Sequence, residues 1–177
     1  MSNLERPRLR GRDHQLLVLL RIALGGFAFL ILASALLSFV RLTQVQGAPV
    51  SLAVPMAVGA LVGMAPFVLV LLLLRDPPSA PVLDAAAGMA AGSILFRILW
   101  WLAMGVLTRI DAFTTPAVVG RLALFTAAEA AIFVLAVQLR KPIAPATWGR
   151  VAAIGVGFAL WEWASQTAVG LLYRFVY

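Results

Sequence analysis

The chain has 177 residues, 63% of them hydrophobic and 12% charged, with a mean hydropathy of +1.00 and a formal net charge of +7. A soluble domain is nearer half apolar and a quarter charged, so this composition excludes a soluble globule and predicts an integral membrane protein. With no cysteine, disulfides and thiolate metal sites are excluded as well.

In chain order, residues 1–15 form a basic tail carrying Arg6, Arg8, Arg10 and Arg12, interrupted by Pro7 and expected to be disordered in the cytoplasm. It should set topology and touch anionic headgroups, at about 1 kcal/mol per basic residue near the surface. The rest, 16–177, reads as one transmembrane domain. Five apolar segments, near 16–40, 51–74, 84–108, 116–139 and 150–173, each reach the roughly 20 residues needed to cross the hydrocarbon core. The first runs past Ala33-Ser34-Ala35 through Leu36, Leu37, Phe39 and Val40, which makes it too long for a cleaved signal peptide. Pro49 precedes the second segment and Arg75-Asp76-Pro77-Pro78 ends it, because proline cannot continue a helix. Pro66 lies inside that segment and predicts a kink. Thr115-Pro116 reads as an N-cap followed by the first helical residue of the fourth segment. Pro142 and Pro145 close that segment, and Thr147 is the expected cap of the fifth.

The basic residues explain the charge without nucleic acid. With the amino terminus inside, Arg6, Arg8, Arg10, Arg12, Arg75, Arg140, Lys141 and Arg150 fall inside, against Arg41, Arg109 and Arg174 outside. This asymmetry satisfies the positive-inside rule and predicts an inside amino terminus and an outside carboxyl terminus. Thirteen arginines to one lysine, with much alanine, suit a GC-rich genome and a bacterial inner membrane.

Small residues at four-residue spacing, Gly59 and Gly63, Gly88 and Gly92, Ala153 and Gly157, predict close helix packing. A 65-residue offset lays 75–109 over 140–174 with nine identities, among them Arg75 on Arg140, Gly92 on Gly157 and Arg109 on Arg174. That hints at two related loop-plus-helix units. In the same register Arg97 falls on Glu162.

Arg97, Glu129 and Glu162 carry the strongest signal for function. Each lies within about a turn of the middle of its segment. A charged side chain there costs roughly 2.5–3.5 kcal/mol on insertion scales, so it must be satisfied by a partner or by something bound. Glu162 shares its helical stripe with Gly155, Ala159 and Gln166; Arg97 shares its own with Ala86, Ala90, Ser93 and Trp101. With Arg121 the four formal charges cancel. The balance favours two interhelical ion pairs over a proton, ion or solute site, and predicts Arg97 paired with Glu162 or Glu129.

Other chemistry finds little support. The one histidine, His14, lies in the tail, which excludes an intramembrane bis-histidine haem and a serine protease dyad. The one lysine, Lys141, sits at a helix end, against a retinal Schiff base. Asp76 and Asp84 match no two-aspartate catalytic spacing. No cofactor, metal or catalytic set is expected. The favoured reading is therefore a non-enzymatic subunit or accessory component of a larger membrane assembly, partnered by other membrane subunits or by copies of itself. The alternative is a small oligomeric transporter or channel for protons, cations or a small solute, working through Arg97, Arg121, Glu129, Glu162 and Gln166.

Overall fold

The computed structural model describes residues 11–46, 50–108 and 116–176. The basic residues before 11, Pro49, Arg109 and the Thr115 cap lie outside them. Five long helices account for the fold: α1 (Gly11–Gln46), α2 (Ala53–Leu73, led by a 3-10 turn at Val50–Leu52), α3 (Ala80–Thr108), α4 (Pro116–Leu139) and α5 (Pro145–Val176). The all-α, multi-pass character expected of the composition is the observed one.

Boundaries differ where polar residues tolerate helix. α1 begins at Gly11, so Arg12, Asp13 and His14, expected in the tail, are helical; Asp13 in the first turn suits the positive helix end. α5 begins at Pro145, which places Thr147 inside the first turn and buried instead of capping it. α2 runs through Pro66 without interruption. Among the described residues, four helices, α1 to α4, are long and apolar enough to cross a membrane. α5 has the length, with 32 residues, but Glu162, Ser165, Gln166 and Thr167 together with three tryptophans dilute its apolar run. The expected count of five spans thus reduces to four apolar ones and a fifth, more polar helix.

The helices are neighbours in the ring order α1, α2, α5, α3, α4 and back to α1, with α2 also touching α3. The 65-residue offset pairs Ala80 with Pro145, the first residues of α3 and α5.

Chain direction gives the bundle a tail end, with Gly11 and the α2–α3 and α4–α5 connections, and a far end. The hydrophobic core fills the tail half: Leu17, Leu20 and Leu24 of α1, Phe67 and Val70 of α2, Ala86 and Ala90 of α3, Ile132 and Ala136 of α4, Val151 and Phe158 of α5. Its tightest seam joins α3 to α5. A Cβ on Gly88 would meet Ile154 Cγ2 at 2.6 Å and the Val151 carbonyl at 2.9 Å; one on Gly92 would overlap the Gly155 backbone. Gly59 faces Val169 at 3.4 Å and Gly63 faces Ile31 at 3.8 Å, so both also lie against neighbouring helices. Ala153 and Gly157 do not: both are exposed, and nothing lies near a Cβ on Gly157. The stripe of α5 that packs is Val151, Gly155 and Phe158, on which Glu162 continues.

Polar contacts fasten the tail end. Asp84, 3% exposed, receives Arg140 Nε at 2.9 Å and Arg150 Nη2 at 3.3 Å, which ties α3 to the end of α4 and the start of α5. Arg140 Nη2 also donates to Thr147 Oγ1 at 3.4 Å. Arg21 Nη2 donates to the Leu74 carbonyl at 2.8 Å and so satisfies an orphan acceptor at the end of α2.

Candidate functional site

Beyond the core the helices part. Trp100 and Trp101 on α3, Arg121 on α4, and Gln166 and Tyr173 on α5 line the far half, opposite small residues of α1 and α2 such as Ala35, Gly59 and Gly63. They surround a cavity of about 600 Å³ to which all five helices contribute. That volume lies within the range of small-molecule sites. Pro55, Val118 and Tyr173, near helix ends, line its far part, and Arg97 and Glu162 line its depth.

An aromatic layer separates cavity from core. Phe27 and Phe125 line the cavity, their rings edge-on with centroids 5.7 Å apart. Phe67 packs edge-on against Phe27 at 4.6 Å and against Phe158 at 5.5 Å. Four helices thus each supply one ring. The fifth, α3, supplies Arg97, whose guanidinium carbon lies 4.9 Å above the Phe125 ring, within cation–π reach.

At this level three helices share one polar cluster. Glu129 on α4 is 0% exposed, and Arg97 holds it in a fork: Nη2 to Oε1 at 2.5 Å and Nε to Oε2 at 3.4 Å. Ser93, one turn before Arg97 on α3, sits between the two glutamates. Its Oγ is 2.6 Å from Glu129 Oε1 and 2.8 Å from Glu162 Oε1, and Arg97 Nη2 reaches it at 3.4 Å. Every buried side-chain polar atom among the described residues has a hydrogen-bond partner. The expected pairing of Arg97 with a midplane glutamate is therefore the one to Glu129.

The second expected pair is absent from the described salt bridges. Arg121 lies two turns nearer the far end than Glu129 and reaches Ser38 Oγ on α1 at 3.5 Å. Glu162 accordingly has Ser93 as its hydrogen-bonding partner and lines the cavity, as do Arg121 and Gln166. Cancelling formal charges suggested two pairs; the helical offset of Arg121 prevents the second. Trp161 and Trp163, on other faces of α5, are exposed on the outside of the bundle.

Ser93, Ser34, Ser38 and Trp100 belong to this site, yet their residue types gave no sign of it. Ser93 alone had a signal, four residues before Arg97 on the same face. No group of histidine, cysteine and acidic residues suited to a metal occurs among the described residues. Compared with protein-family models, curated proteins and solved structures, the chain matches none.

Proposed function

We propose that the protein is a small membrane carrier or channel, non-enzymatic, that admits a small polar solute or proton from its far end to Glu162 at the middle of the membrane. The observation that carries this is the five-helix cavity ending on a carboxyl group that is hydrogen-bonded to Ser93 and, among the described residues, forms no salt bridge. In this reading α5 is the fifth span. Its polar residues Glu162, Ser165 and Gln166 line the cavity, where an amphipathic membrane helix places them. The positive-inside asymmetry then puts the tail end in the cytoplasm of a bacterial inner membrane and the cavity mouth outside.

The test is proton or cation flux in liposomes carrying the purified chain and a pH-sensitive or cation-sensitive dye. Wild-type flux should exceed that of empty liposomes and be lost in Glu162→Gln, with the variant still folded. Flux equal to that of empty liposomes under both proton and cation gradients would contradict the reading.

A second reading, a subunit of a larger membrane assembly, draws support from a different surface. An open apolar groove between α2 and α5, lined by Met64, Pro66, Leu69, Gly157 and Trp161, continues the unpacked small face of Ala153 and Gly157. Co-purification of other polypeptides in mild detergent, lost on Gly157→Leu, is the result expected of that role.

A further inference from the structure

The cavity floor holds more short oxygen contacts than its own protons can satisfy if both glutamates are ionised. Ser93 Oγ lies 2.6 Å from Glu129 Oε1 and 2.8 Å from Glu162 Oε1, both hydrogen-bonding distances. A serine hydroxyl owns one proton and can donate to one acceptor; an ionised carboxylate only accepts. Two carboxylates against one hydroxyl would leave one of these contacts as lone pair against lone pair. A single additional proton removes the conflict.

Arg97 decides which carboxyl takes it. Its guanidinium donates to both oxygens of Glu129, a fork in which each carboxylate oxygen accepts. Among the described residues no guanidinium forms such a fork with Glu162, whose recorded hydrogen bond is to Ser93. The consistent arrangement runs in one direction: Glu162 Oε1–H donates to Ser93 Oγ, and Ser93 Oγ–H donates to Glu129 Oε1. Arg97 donates to Glu129, and through the longer 3.4 Å contact to Ser93 Oγ. Ser93 then makes one donation and receives two, its full capacity.

We infer that Ser93 and Glu162 form a proton-binding site on the cavity floor, with Glu162 as the carboxylic acid and Ser93 as the positioning residue that links it to the Arg97–Glu129 pair. The cluster is neutral when loaded. When Glu162 passes its proton to a water or a weak base in the cavity, the cluster gains one negative charge and Ser93 becomes a donor contested by two carboxylates. The groups that face this event are Arg97 on α3, Glu129 and Arg121 on α4, and Tyr173 on α5 itself; the cavity-lining residues of α1 and α2 are not titratable. The site rests on hydrogen-bond geometry and stands whether or not a solute crosses the protein.

Infrared spectroscopy of the purified chain in nanodiscs reads the proton directly. At neutral pH the wild type should show a protonated-carboxyl C=O band that shifts in D₂O. Glu162→Gln should remove it, in a sample whose helicity and elution volume match the wild type. Ser93→Ala should move the band to the frequency of a less strongly hydrogen-bonded acid, and Ser93→Thr should restore it. The Ser93 variants read the site independently should Glu162→Gln fold poorly. No band in the wild type, a band that survives Glu162→Gln, or a band indifferent to Ser93→Ala would each overturn the assignment. A normal band without liposome flux would count against the carrier reading alone.

Discussion

Arg97 shows how one side chain can settle the geometry of a membrane interior. Interhelical hydrogen bonds between neutral groups average only about 0.6 kcal/mol in measured bundles, because the unfolded chain in lipid finds partners too. Leaving a buried charge without its counter-ion is far more expensive, about 3–5 kcal/mol when one partner of a buried pair is removed. The penalty, more than the attraction, makes the Arg97–Glu129 fork decisive. Arg97→Leu should therefore destabilise the bundle by about 3–5 kcal/mol in a detergent unfolding titration. Adding Glu129→Leu should recover part of that loss, and adding Glu162→Leu should recover much less, since Glu162 is bonded to Ser93. Equal recovery from both would show that Arg97 is shared. At this scale the sequence reveals which residues need partners, from charge and depth, but not which partner each takes. Arg121 is the case in point: counting charges paired it with a glutamate, whereas its helical offset carries it to Ser38.

Among the elements, the α3–α5 seam carries the closest backbone approach, and its glycines are unequal. Gly92 has no room for a Cβ because the Gly155 backbone occupies that space, whereas Gly157 meets nothing. Backbone cannot yield as a flexible side chain can. Gly92→Ala should push α3 and α5 apart and lower the unfolding midpoint markedly, with Gly157→Ala close to neutral; similar effects at both positions would deny the seam. The spacing of small residues on α3 identified the right face. On α5 the same spacing picked Ala153 and Gly157, one face away from Gly155, because alanine and glycine are frequent enough along that helix to offer several such pairs. The stripe through Gly155 and Glu162 was the better guide, since a buried charge fixes which face turns inward and a small residue does not. The start of α4 was readable at Pro116, whereas the starts of α1, α3 and α5 were misjudged by about a turn, at Gly11, Ala80 and Pro145, where polar residues or a first-turn proline continue the helix.

Considered whole, the molecule divides across its middle. Small and aliphatic residues close the tail half into a packed core, an aromatic layer caps it, and a cavity lined by both polar and small residues occupies the far half. Composition alone conveyed a membrane bundle and its helices, but not this division, which depends on how five helices are arranged around one axis. The chain has no cysteine, so single substitutions can report access to each half without background. Gln166 lines the cavity on α5, and Ala136 on α4 is 0% exposed in the tail-half core. Reaction of Gln166→Cys and Ala136→Cys with a membrane-impermeant maleimide, added to one side of the membrane at a time, is the most direct measurement. A water-filled cavity open at the far end predicts rapid labelling of Gln166→Cys from the side of the carboxyl terminus only, and none of Ala136→Cys from either side. Gln166→Cys that stays unlabelled from both sides, or that reacts only from the tail side, would contradict it.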